Sequence, residues 1–197
     1  MKQMETLLDG FVFLEGPRWH EDRLYFSDMW GHAVYSASEG GDVKKVADVP
    51  GRPSGLNFLP DGRLIVVSMA DRKLFEISTA GSLSEYADLS DIIDSDINDS
   101  VVDSAGNIYV GSFGYDLFAN EEPKLASMAI VEKDGSVGIA ADGLNFPNGA
   151  VISPSGDTLI CAETFGHCLT AFNMNSTGQL TNRRVWADLG EHTPDGI

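Results

Sequence analysis

Along the chain one alternation of apolar and polar positions returns four times. Each unit opens on a small or polar residue, continues into a short apolar run, and turns at an Asp or Gly. It then re-enters an apolar strand of β-branched and aromatic residues. The four copies read EGPRWHEDRLYFSD from Glu15, SGLNFLPDGRLIVVS from Ser54, NDSVVDSAGNIYVGS from Asn98 and NGAVISPSGDTLICAE from Asn148. Runs of this kind separated by Pro60-Asp61-Gly62, Ser104-Ala105-Gly106 or Pro154-Ser155-Gly156 are hairpin signals. Two further strand-like runs follow each hairpin, such as AVYSAS and VKKVADV, or KLFEIS and LSEYADL. About four strands per unit, with no helix-period segment, predicts an all-β chain built of propeller blades.

The unit starts Glu15, Ser54, Asn98, Asn148 and Asp195 lie 39, 44, 50 and 47 residues apart. Such spacings are those of propeller repeats, which run ~40–50 residues. The fifth unit begins at Asp195 and holds only DGI. The longest interval contains GYDLFANEEPKLAS after Ser112, expected to form a loop over one face and part of a substrate entrance.

In a propeller the first strand of each blade runs along the central channel, so equivalent residues in successive blades form a ring about the axis. The ring predicted here is Glu15, Ser54, Asn98, Asn148 and Asp195: two carboxylates, two carboxamides and a hydroxyl, with no cation. Carboxylates converging on a narrow axis repel unless a cation neutralises them. An all-oxygen set suits Ca²⁺ first, then Mg²⁺ or Mn²⁺, with Zn²⁺ a further alternative. A water-filled polar channel satisfies the same pattern, and spacing alone leaves both open.

Composition narrows the partners. The chain has 197 residues with 13 basic and 30 acidic side chains, a formal charge of -17. That balance argues against nucleic acid or an anionic membrane surface. Met1 to Phe13 lacks the apolar core of a secretory leader, and no run approaches the ~20 apolar residues of a membrane span, which points to a cytoplasmic protein. Cys161 and Cys168 flank a hairpin turn and are expected to be reduced packing residues, near enough in sequence to lie opposite each other. Trp19, Trp30 and Trp186 fall in strand-like runs, where blade packing accounts for them. No Gly-x-Ser-x-Gly elbow, His-Glu-x-x-His helix or phosphate loop occurs.

Four segments, LEGPRWHEDRLYFSD, INDSVVDSAGNIYVGSFG, FPNGAVISPSGDTLICAET and TPDGI, resemble successive signatures of the gluconolactonases, regucalcin (senescence marker protein) and luciferin-regenerating enzymes. The resemblance implies a six-bladed propeller, of which this chain holds about four blades and the start of a fifth. Two blades would then lie beyond it. It also implies one divalent metal on the axis held by Glu15, Asn148 and Asp195, with Asn98 contacting substrate or water. Asp195 is then the expected general base and the substrate a small lactone. Asp96 stands where regucalcin-like members carry an Arg that grips the sugar, so it is a substrate-contact position of altered chemistry. Asp99 is expected to be a supporting residue and Ser54 to line the channel. The competing class is a non-enzymatic propeller binding Ca²⁺ or a partner, and a hydrolase of phosphorus esters would use a similar axial metal.

Overall fold

A computed structural model describes residues 5–197 and contains sixteen strands and no α-helix among them. They form four sheets of four antiparallel strands, each connected in simple chain order. Blade one comprises β1 (Leu14–His20), β2 (Arg23–Asp28), β3 (Ala33–Ser38) and β4 (Val43–Asp48). Blade two comprises β5 (Pro53–Phe58), β6 (Leu64–Ser68), β7 (Lys73–Ile77) and β8 (Leu83–Asp88). Blade three comprises β9 (Ile97–Val102), β10 (Ile108–Ser112), β11 (Ala126–Val131) and β12 (Val137–Leu144). Blade four comprises β13 (Pro147–Ile152), β14 (Thr158–Glu163), β15 (Cys168–Met174) and β16 (Leu180–Asp188). The first strands β1, β5, β9 and β13 neighbour one another in order, which makes them the inner edge of the arc.

Sequence alternation explains the stacking. Every residue of β6 is buried, and its side chains divide by parity. Leu64 and Val66 enter the core with Val34, Ala47 and Leu56, between blades one and two. Ile65 and Val67 enter the core with Ile97, Ile108 and Val110, between blades two and three. β10 repeats the device, sending Tyr109 into the next core with Leu159, Cys161 and Phe172 of blade four. There Tyr109 Oη donates to the carbonyl of Gly178 at 2.5 Å, tying blade three to blade four. β-branched residues fill these two-sided strands because they pack well on a pleated surface.

Two expectations need correction. Cys161 faces Thr170 across the β14–β15 hairpin while Cys168 faces Glu163. The connection Thr164–His167 takes four residues, so the two thiols are offset and both remain free. None of the three tryptophans is a buried blade-packing residue: Trp19 in β1 and Trp186 in β16 are 56% and 57% exposed, and Trp30 is 41% exposed. Trp30 lies in the turn after β2, where the carboxylate of Asp28 accepts the N–H groups of Phe13 at 2.9 Å and Gly31 at 3.1 Å.

Candidate functional site

Glu15, Ser54, Asn98 and Asn148 are each the second residue of their blade's first strand, so the ring predicted from the repeats is a structural register. Asp195 lies beyond β16 with no strand of its own, yet it holds the same position relative to blade four. A Cβ on Gly16 would meet Ser54 O at 2.5 Å, Gly55 Cα at 3.1 Å and Leu56 N at 3.1 Å. A Cβ on Gly149 would meet Asp195 O, Gly196 Cα and Ile197 N, all at 2.8 Å. The same three backbone atoms of the next unit press on the glycine that follows the ring residue. Only a residue without a side chain permits so close an approach.

Hydrogen bonds orient the amides. Asn148 Nδ2 donates to Thr164 Oγ1 at 3.2 Å, and Thr164 Oγ1 donates to the carbonyl of Pro194 at 2.8 Å. Gly149 N donates to Asp195 O at 3.2 Å, so blade four grips the segment carrying Asp195 at two points. Asn98 Nδ2 points to the carbonyl of Pro147 at 3.5 Å. The Asn98 amide nitrogen is thereby turned toward the next blade, and that of Asn148 toward Thr164 of its own. Ser54 Oγ is buried and has no hydrogen-bond partner among the described residues.

The electrostatics of the ring are those of crowded carboxylates. Burial, then the charges of Asp195 and Asp99, push the Glu15 carboxyl up from 4.5 to about 7. Asp99 follows Asn98 and is buried in β9, where Arg18 Nη2 donates to its Oδ1 at 3.1 Å and to Ser100 O at 2.9 Å. Arg18 therefore reaches from blade one to blade three and offsets one of the three negative charges. Asp99 also accepts the backbone N–H of Ser100 at 2.8 Å.

These residues fit a hard cation better than a soft one. No group of three or more His, Cys, Asp or Glu side chains suited to a metal occurs among the described residues. What the ring offers is carboxylate and amide oxygen, with the Glu15 carboxyl held toward its neutral form by burial first and then by the charges of Asp195 and Asp99.

Asp96 lies two residues before Asn98, one step toward the mouth of the channel. Its carboxylate is engaged by Arg52 Nη2 at 2.6 Å. Sequence reasoning missed Arg52, although it sits two residues before Ser54 and so holds the same place in its own blade. The acidic side chain at position 96 is thus paired with an arginine from the adjacent blade. A cleft of about 390 Å³ opens beside the pair between blades two and three, lined by Arg72, Asp94, Asp96, Tyr115 and Glu121 among others. Tyr115, Asp116, Glu121 and Lys124 of the long insert border it, and none of the ring residues lines it.

Several solved structures share this architecture. A gluconolactonase from Xanthomonas campestris is 27% identical, with a TM-score of 0.81 over 97% of this chain and 68% of that one. A calcium-binding regucalcin from Agrobacterium tumefaciens is 23% identical, with a TM-score of 0.77 over 90% of this chain and 60% of that one. A luciferin-regenerating enzyme is 19% identical, with a TM-score of 0.78 over 91% and 62%. The chain therefore spans about two thirds of the length of these relatives, in proportion to four blades of six. Residues 13–197 match the family model described as the SMP-30/Gluconolactonase/LRE-like region, and the chain belongs to that family.

Proposed function

We propose that the protein is a metal-dependent hydrolase that opens a lactone ring. The observation that carries this reading is the axial ring itself. Glu15 and Asp195 face each other's charge, and the amide of Asn148 is turned by Thr164 so that its oxygen is left for a ligand. Glu15, Asn148 and Asp195 would hold one divalent cation, Ca²⁺ by the hardness of the set. When bound, the cation supplies Lewis-acid polarisation of the lactone carbonyl.

The chain's own residues do the rest. Asn98, buried at the next ring position, orients the substrate or the attacking water. Asp195 takes a proton from that water at a carboxylate oxygen as its oxygen bonds to the acyl carbon. The acyl carbon–ring oxygen bond then breaks, and the proton passes to the leaving alkoxide, giving an open hydroxy acid.

The test is hydrolysis of δ- and γ-lactones by the full-length protein, with Ca²⁺ and with chelator. Asp195→Asn is expected to lower turnover at least 100-fold, the scale of general-base loss. Undiminished turnover in chelator or in that variant overturns the reading. Saturable Ca²⁺ binding without turnover of any lactone would leave a binding propeller in its place.

A further inference from the structure

A second ring lies one step above the first. The carbonyls of Phe13, Arg52, Asp96 and Phe146 each accept a backbone bond from the residue that follows the blade's second strand. The donors are Met29 at 2.8 Å, Met69 at 2.9 Å, Phe113 at 2.9 Å and Thr164 at 3.1 Å. These four are therefore equivalent, each two residues before its ring position, and make up one layer next to the ring. Arg52 and Phe146 hold left-handed backbones, with φ of 65° and 60°. Such conformations cost roughly 1–3 kcal/mol in a residue with a side chain and gather at functional sites.

The side chains of this layer make a wall. The Arg52 guanidinium carbon sits 5.3 Å from the Trp30 ring centre and 4.8 Å from that of Phe118. Trp30 and Phe118 themselves meet edge to face at 5.3 Å. Phe118 leads on to Phe113 at 6.1 Å, Phe113 to Phe146 at 4.4 Å, and Phe146 to Phe165 at 4.8 Å. Rings from blades one, three and four thus run unbroken past the mouth, and Trp30, Phe118 and Phe165 are 41%, 45% and 41% exposed. Exposed apolar surface of this extent on one face marks a binding site more often than chance.

Arg52 adds direction without net charge. Asp96 neutralises it through Nη2, and among the described residues none of its other nitrogens has a hydrogen-bond partner. A guanidinium carries five N–H groups in a rigid fork, so several remain to meet an acceptor. Packed beside the two rings and held by Asp96, the fork is preorganised to donate to a neutral ester-type oxygen. Besides Arg52 the rings of the wall offer one donor, the Trp30 indole N–H, so a lactone bearing several hydroxyls would leave most of them unmet against the rings, at roughly 1–3 kcal/mol per unmet group. The -17 charge of the chain disfavours an anionic substrate as well.

We infer that Arg52 and the Trp30–Phe118 wall select a neutral lactone carrying an apolar substituent over a polyhydroxylated one. The inference rests on the hydrolase reading above and names its substrate class. The full-length protein with Ca²⁺ is assayed on δ-nonalactone and D-glucono-1,5-lactone, which share ring size and chemistry. The expected kcat/KM is at least tenfold higher on δ-nonalactone. In Phe118→Ala that preference shrinks about tenfold, through KM and not kcat, and Phe118→Leu restores part of it. Equal or reversed preference in the wild type, or an unchanged preference in Phe118→Ala, overturns the inference while leaving the hydrolase standing. If neither lactone is opened, the hydrolase reading fails and binding decides the wall. Saturable quenching of tryptophan fluorescence by δ-nonalactone in chelator, absent in Trp30→Phe and weakened in Phe118→Ala, supports it, and no quenching overturns it.

Discussion

Replacing Glu15 by Gln should move stability and metal binding in opposite directions. Gln has the shape of Glu and removes only the charge. In the metal-free protein the Glu15 carboxyl lies at about 7 when folded, against 4.5 as its ordinary value. Its folded pKa is raised, so the folded state holds a proton between these pH values that the unfolded state has released. Stability from this group is then fully present below about 4.5 and is lost as pH rises through 7. Each tenfold change in proton affinity is worth about 1.4 kcal/mol, which sets a ceiling of roughly 3.4 kcal/mol. Glu15 is only partly buried, and solvent screening brings the figure to roughly 1–2 kcal/mol.

Unfolding is followed by urea titration in chelator, from pH 4 to 8.5. Glu15→Gln should be more stable than the wild type by roughly 1–2 kcal/mol above pH 7, with the gap closing toward pH 4.5. With Ca²⁺ added, the order should reverse. The wild type gains stability as RT ln(1 + [L]/Kd), about 2.7 kcal/mol at a hundred times Kd, and the variant gains little. A variant no more stable than the wild type at pH 8 in chelator would show that Glu15 feels no crowded carboxylates. A variant with the full Ca²⁺ gain would show that Glu15 is no ligand. Either result refutes the axial site as drawn.

Three other substitutions probe the scaffold around it. Gly16→Ala places a methyl 2.5 Å from Ser54 O at a φ of 56°. The left-handed penalty and the overlap together should cost about 3 kcal/mol, seen calorimetrically as a Tm about 6–12 °C lower. A loss under 0.5 kcal/mol would show that blades one and two do not approach so closely. Tyr109→Phe deletes the buried bond to Gly178 O and should cost about 1–3 kcal/mol in urea, with Ca²⁺ affinity unchanged. Arg18→Met leaves buried Asp99 without its cation, so metal-free stability should fall by about 1–3 kcal/mol. Calorimetric titration should show Ca²⁺ binding the same variant more tightly, because the ring has lost an opposing positive charge.

The repeats made the fold and the ring legible because both depend on period. A strand's side chains alternate with a period of two, so aligning four hairpin turns also aligns the residues that enter the channel. Hence Glu15, Ser54, Asn98 and Asn148 fall on one register, and Asp195 joins them through backbone contact alone. The second layer was equally periodic but chemically mixed. Phe13, Arg52, Asp96 and Phe146 share a backbone role while differing in polarity, and no composition rule groups them.

Arg52 shows why the rest escaped. Read singly, Asp96 is an acid where a cation is expected, and the substrate contact looks lost. The pair is visible only once blades two and three stand side by side, because the two residues are 44 positions apart and meet at 2.6 Å. Moving the guanidinium to the adjacent blade changes more than its address. In its new place it packs beside Trp30 and Phe118, residues from blades one and three, while Asp96 cancels its charge. A cation that would draw any oxygen-rich molecule becomes a neutral, oriented donor in an aromatic wall. If the function is lactone opening, the selectivity of the site is decided in this layer, by packing between blades, and not by the axial oxygens that the repeats reveal.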